Sequence, residues 1–224
     1  MSNDKDFKVK NGIQPASYQE SLGTVTSGSV TVGYADMSTW VYDSVSFDTA
    51  SQGGPFGIVF KSDGTKMYVL SGFTPDSIYQ YSLSTAWDIS TASYDSVSLN
   101  VSSQDADMYD LAVSSDGASF YVIGDSGNNV YQYNLSTAWD LSTASYSQSF
   151  NVSSQDSAPR AFEFNPSGTK MYIVGADNKT IYQYSLSTAY DISSASYDSV
   201  SFSVSSEGHT SPSGLRFNSD GTKM

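Results

Sequence analysis

The chain has 224 residues with no cysteine, a single histidine, and 23 acidic against 10 basic side chains, for a formal net charge of −13. That balance opposes contact with phosphate backbones, so nucleic acid is not an expected partner, and the lack of thiols excludes disulfides and thiolate metal sites while leaving the redox compartment open. No apolar run reaches the roughly 18 residues that a membrane-spanning helix needs, and the start MSNDKDFKVKNG carries charges where a secretory signal would be apolar.

Residues 1–33 stand outside the pattern that governs the rest. Phe7 and Val9 alternate with lysines ahead of Asn11-Gly12, a strand-then-turn signal, and the stretch that follows is rich in Ser, Thr and Gly. This piece reads as a short extended segment. Repetition begins near Asp36, where ADMSTWVYDSVSF matches WDISTASYDSVSL. Three fuller copies follow, Phe60 to Leu99, Val113 to Phe150 and Phe164 to Phe202, and a fourth opens at Phe217. The turn glycine recurs at Gly64, Gly117, Gly168 and Gly221, a period of 51 to 53 residues that marks a structural array.

Within the first complete copy, PFGIVF, KMYVLS, SIYQYSL and YDSVSLNV alternate with turn chemistry and read as four strands. MYVL is apolar at consecutive positions, as in a sheet buried on both faces, and no 3.6-residue periodicity persists. The fold class expected is therefore all-β, a β-propeller of about 52-residue, four-stranded blades over 34–224, with about three and a half repeats, ahead of a β-sandwich array or a β-solenoid.

The pattern DGTKMYVLSG followed by YQYSLSTAWDISTASYDSVSL resembles the propeller repeats of the broad YVTN/lactonase-like group, and most nearly their tandem forms in virion proteins of marine bacteriophages. FKVKNGI is similar to short openings of structural and tail-fibre proteins of such phages. The resemblance implies a virion location, with Phe7, Val9, Lys10, Asn11, Gly12 and Ile13 docking the chain onto other virion proteins in many copies or as a homo-oligomer.

Tyr42 to Phe47 matches the outermost strand of a blade, and Met224 aligns with Met67 and Met171 at the opening of a second strand. A sheet ending there has an unpaired edge. The natural chain is accordingly expected to continue, by some three blades, in preference to closure by oligomerisation.

Two classes of connection behave differently across the copies. SDGTK, SDGAS and PSGTK, with STAWDISTAS, STAWDLSTAS and STAYDISSAS, barely change, as a strained turn or a packed aromatic demands. The connections expected on the other face diverge, as recognition loops on a rigid scaffold do. Their aromatic and apolar positions include Phe56, Phe73, Met108 and Tyr109. Asp76, Asp105, Asp107 and Asp110 supply carboxylates in the first and second copies, with Asp125, Asn128 and Asn129 beyond them. Asp156, Arg160, Asp177 and Asn178 occupy the third. Aromatic rings mixed with Asp and Asn suit a host-surface glycan. Asp105, Asp107 and Asp110 lack a full calcium-loop pattern and read as ordinary surface carboxylates, so no metal and no cofactor are expected.

Trp87, Trp139 and Tyr190 share one register and read as packing residues of the blades; Trp40 falls outside it. His209, the one histidine, has no recurring partner set with which to form a catalytic constellation, and no catalytic residue is assigned. The function expected is that of a phage structural protein, anchored by its N-terminal segment, with the propeller as a receptor-binding module and no enzymatic activity. A spacer without ligand and a lactonase-like or glycan-active enzyme are the alternatives.

Overall fold

A computed structural model of the chain describes residues 42–72, 75–207, 211–218 and 220–224. The chain divides into two units, Met1–Val45 and Ser46–Met224. Of the first unit only residues 42–45 are described. They contain no strand, which corrects the expectation for Tyr42 to Phe47: no strand among the described residues pairs with them. Ser44 nevertheless has φ 64°, matching the equivalent Ser96 and Ser199 at 57° and 58°. The proposed docking residues Phe7 to Ile13 lie outside the described residues.

In the second unit the repeat folds as its alternation dictates. β1 (Pro55–Phe60), β2 (Lys66–Ser71), β3 (Ser77–Leu83) and β4 (Ala92–Asn100) form one antiparallel sheet. β5 (Met108–Val113), β6 (Ser119–Gly124), β7 (Asn129–Leu135) and β8 (Ala144–Asn151) form the second. β9 (Pro159–Phe164), β10 (Lys170–Gly175), β11 (Thr180–Leu186) and β12 (Ala195–Ser203) form the third. Each sheet follows chain order, and β1, β5 and β9 lie side by side, so these are the innermost strands and β4, β8 and β12 the outer edges. This is the four-stranded blade of a β-propeller.

The core lies between blades. Tyr68, Leu70 and Ile78 of the first blade pack with Leu111, Phe120, Val122, Tyr133 and Leu141 of the second, and Tyr121, Ile123 and Val130 pack with Phe162, Ile173 and Tyr184 of the third. Middle strands are thus covered on both faces, which is why MYVL is apolar throughout. Two polar links repeat at each junction. The hydroxyls of Tyr68 and Tyr121 donate to the carbonyl oxygens of Trp139 and Tyr190, and the Oε1 atoms of Gln80 and Gln132 accept from the buried amides of Leu141 and Ile192.

The constant turns are built from one another. The amide of Trp87 donates to the carbonyl of Gly64 at 3.0 Å, and the indole covers the glycine, so that a Cβ there would lie 2.4 Å from the ring. Trp139 with Gly117 and Tyr190 with Gly168 repeat the arrangement. Both members sit at positive φ, 72° at Gly64 and 67° at Trp87, a region that favours glycine and strains a large side chain. The aromatic register is therefore a packing register, as its recurrence suggests.

Candidate functional site

The divergent connections do gather on one face. Val101 N donates to Asp76 O, Asp125 N to Asp107 O, Val152 N to Asn128 O and Ala176 N to Ala158 O, joining each blade-to-blade connection to its neighbouring hairpin loop. The constant turns are joined instead to one another, as described above.

The structure separates the residues singled out on this face into three groups. Asp105 and Asp156 are buried, against the expectation that they meet a ligand. Asp105 accepts from Asp107 N, Gly127 N and the Tyr131 hydroxyl at 3.1, 2.9 and 3.0 Å. Asp156 accepts from Ala158 N, Asp177 N and Asn178 N at 2.9, 3.3 and 3.0 Å. Each holds a hairpin loop against the preceding connection, because the two oxygens of a carboxyl group can accept from several donors at once.

Asp110, 8% exposed, is likewise turned inward. It accepts from Leu111 N at 2.9 Å and from Phe162 N of the next innermost strand at 3.3 Å. Burial pushes its carboxyl up to about 6, opposed by the charge of Arg216 and by the two amide bonds. Asp76, 2% exposed, is also pushed up by burial. Asn128, with its amide nitrogen turned toward them, donates to the carbonyls of Ser157 and Asp125. Asn129 donates to Gly127 O and the Tyr131 hydroxyl, and Asn178 to Gln155 O. Asp107 and Asp177 are exposed at the loops and accept from Ser126 and Ser157. Phe73 and His209 lie outside the described residues.

The remaining group converges. Phe56, Tyr109 and Arg160 are the second residues of β1, β5 and β9, the same register in three successive innermost strands. The Phe56 and Tyr109 rings meet edge to face with centroids 5.6 Å apart, and Arg160 Cζ stands 3.8 Å from the centre of the Tyr109 ring. One Arg160 Nη lies 2.9 Å from Asp125 Oδ2. Burial and the charges of Asp107 and Asp105 push Asp125 up to about 6. With Ser211 and Ser213 these side chains line a cavity of about 320 Å³.

Ser213 is a functional candidate that loop composition does not single out. Aligning SPSGLRF with APRAFEF places it at the register of Arg160, which is the signal that finds it. An exposed phenyl ring, a phenol face and a guanidinium, with two serines lining the same cavity, can stack on a ring and hydrogen-bond its substituents. Among the described residues no group of three or more acidic or histidine side chains is placed to hold a metal ion.

No family model and no curated protein matches the sequence. Solved structures do match in fold. One, described as a 6-phosphogluconolactonase of Bacteroides fragilis, has a TM-score of 0.53 at 15% identity, over 68% of this chain and 40% of its own. Another, the periplasmic gluconolactonase of Pseudomonas aeruginosa, has a TM-score of 0.50 at 18% identity, over 73% and 42%. The chain thus spans about two fifths of the length of each, and at such identity the likeness is one of fold: the described repeats are blades of a β-propeller.

Proposed function

We propose that the chain is a binding module that recognises a ring-bearing ligand, a surface glycan, at the Phe56, Tyr109 and Arg160 cavity. One observation carries this reading. At a register that repetition would have made uniform, three innermost strands present three different side chains that touch one another and open to solvent, while the opposite face repeats nearly unchanged. A rigid scaffold with one varied face is the arrangement of a recognition surface.

The same reading places the module on a phage particle, docked through Phe7 to Ile13. Its support is the likeness of FKVKNGI to the openings of phage structural proteins and of the repeats to virion propellers. Many copies on one particle would convert weak sugar contacts into firm attachment by effective concentration. The test is a glycan array probed with the chain and with Tyr109→Ala and Arg160→Ala. Binding lost in both variants at unchanged thermal stability supports the cavity; binding that survives both sinks it. Incorporation into particles after removal of residues 1–33 would sink the docking claim.

A second reading, a lactone- or glycan-cleaving propeller, is favoured by Asp110 and Glu163, whose carboxyls are both pushed up by burial beside Arg216. Groups tuned toward neutrality suit general acid and base work. Turnover of a sugar lactone that is lost in Asp110→Asn would establish this reading over the first.

A further inference from the structure

The three outer edge strands are not guarded alike. In β4 the pairing passes from Gln80 with Val97 to Tyr81 with Tyr94, and in β12 from Gln183 with Val200 to Tyr184 with Tyr197, so Asp95-Ser96 and Asp198-Ser199 bulge out of register. Ser96 and Ser199 have φ of 57° and 58° there. The bulge aspartates turn inward. Lys66 Nζ, Ser82 Oγ and Gln80 Nε2 reach Asp95 Oδ2 at 3.0, 3.0 and 2.8 Å. Lys170 Nζ and Gln183 Nε2 reach Asp198 Oδ2, both at 2.7 Å, and Ser185 Oγ reaches Asp198 Oδ1 at 2.6 Å. A bulge and an inward-pointing charge are two of the devices that keep an exposed edge from pairing with a further strand.

In β8 the bulge shrinks and the charge is gone. The pairing passes from Gln132 with Gln148 to Tyr133 with Tyr146 and leaves out Ser147 alone, and no residue of the strand has positive φ. Ser147 stands at the aspartate position, Ser119 at the lysine position and Asn134 at the serine position. Lysine and aspartate are lost together, and a neutral chain replaces them: Ser119 Oγ donates to Asn134 Oδ1, and Asn134 Nδ2 donates to Ser147 Oγ. From Leu141 to Gln155 no side chain is charged. Tyr146 is 47% exposed on this strand, against 36% for Tyr94 and a half-buried Tyr197. Among the described residues β8 pairs with β7 and with no other strand.

We propose that the free edge of β8 pairs antiparallel with β8 of a second copy, joining two chains about a two-fold axis. Charge selects this occupant. Two chains of net charge −13 repel each other, so a contact between copies needs a stretch without charge. Across a two-fold axis an edge meets itself, and an aspartate there would face an aspartate, which destabilises a strand pair. Serine and glutamine can instead hydrogen-bond to their own kind. Of the three outer edges β8 alone meets this condition. One shared strand pair is a small interface, so the dimer is a weak one. It uses no residue of the Phe56, Tyr109 and Arg160 cavity and stands whether or not that cavity binds a glycan.

The test is sedimentation equilibrium of the full chain at concentrations up to about 1 mM, the weak end of specific affinity. Monomer and dimer in exchange are expected. Ser149→Lys puts a charge on the exposed side of β8 and should weaken association at least about tenfold with circular dichroism unchanged. Ser98→Lys, at the same register of β4, should leave association as it was. Hydrogen exchange at low and high concentration gives a second readout, in which amides of β8 slow as the dimer forms and those of β4 and β12 do not. A monomer throughout, association that survives Ser149→Lys, equal weakening by Ser98→Lys, or slowing that is absent from β8 would each overturn the proposal. Should Ser149→Lys fail to fold, hydrogen exchange of the unaltered chain decides by itself.

Discussion

The hydroxyl of Tyr68 donates to the main-chain carbonyl of Trp139 across the junction between the first and second blades at 2.5 Å, and Tyr121 repeats the bond to Tyr190 at 2.6 Å. The tyrosine of each KMYV-type strand therefore reads the position of the next blade's aromatic turn. That turn is itself bound to its own glycine, so a single hydroxyl ties together two repeat motifs that lie about seventy residues apart in the chain.

Removing this hydroxyl isolates one bond. Tyr68→Phe and Tyr121→Phe are each expected to lower stability by about 1 kcal/mol in urea denaturation. Tyr172, the third copy, packs on Phe217, and no hydrogen bond from its hydroxyl is found among the described residues. Tyr172→Phe should be close to neutral. Equal losses at all three positions would mean that the effect is local to the strand and not a junction bond.

The glutamine of YQY is the second junction contact. Gln80 Oε1 accepts from the amide of Leu141, which is 1% exposed, at 2.9 Å. Gln80→Ala leaves that amide buried without its acceptor, a loss of about 1–3 kcal/mol. It also takes one hydrogen bond from Asp95. Gln183 shares the Asp95-type bond at Asp198 but makes no junction bond among the described residues, so Gln183→Ala should cost measurably less. The comparison is made by the shift in urea midpoint at constant slope.

The turn glycines separate backbone strain from packing. Gly117 and Gly221 have nearly the same φ, 73° and 71°, but a Cβ at Gly117 would lie 2.1 Å from the Trp139 ring, and one at Gly221 would meet nothing within 4 Å. Gly221→Ala should therefore cost no more than the left-handed penalty of about 1–2 kcal/mol. Gly117→Ala adds displacement of the indole, a further 1–3 kcal/mol or so. Similar losses at the two positions would show that ring contact is not what selects glycine.

Asp110 makes stability depend on pH in a stated direction. Its carboxyl holds its proton up to about 6 in the folded chain and releases it near 3.8 when unfolded. The folded state thus binds more protons across that window, so the contribution is complete below about 3.8 and lost as pH rises through about 6. The change is at most about 3 kcal/mol. Asp95 and Asp198 act oppositely: burial raises their carboxyls, but the bonds from glutamine, serine and lysine outweigh it and hold them below the ordinary value. Comparing the chain with Asp110→Asn at pH 4.5 and pH 7 cancels those contributions; the variant should lose less stability over that interval, and an unchanged pH slope would refute the assignment.

Much of the fold was legible along the chain because a strand is a local pattern. PFGIVF, KMYVLS and SIYQYSL coincide residue for residue with β1, β2 and β3, and the constant and divergent turns do fall on opposite faces. Tyr42 to Phe47 shows where local pattern stops being sufficient. The segment matches β4 in sequence and even in the positive φ of Ser44, yet it forms no strand, because a strand also needs a partner.

The candidate site was legible only as a set of residue types. Sequence alone identified the repeat, its period, the strands and the loops that differ between copies. Tertiary structure decided which of the differing residues are used. It turned Asp105, Asp110 and Asp156 inward, where unpaired amides need acceptors, and it brought Phe56, Tyr109 and Arg160 to one cavity from positions about fifty residues apart. The physical reason is that a repeat sets each residue's register within its own blade, whereas contact between blades depends on how the sheets stack.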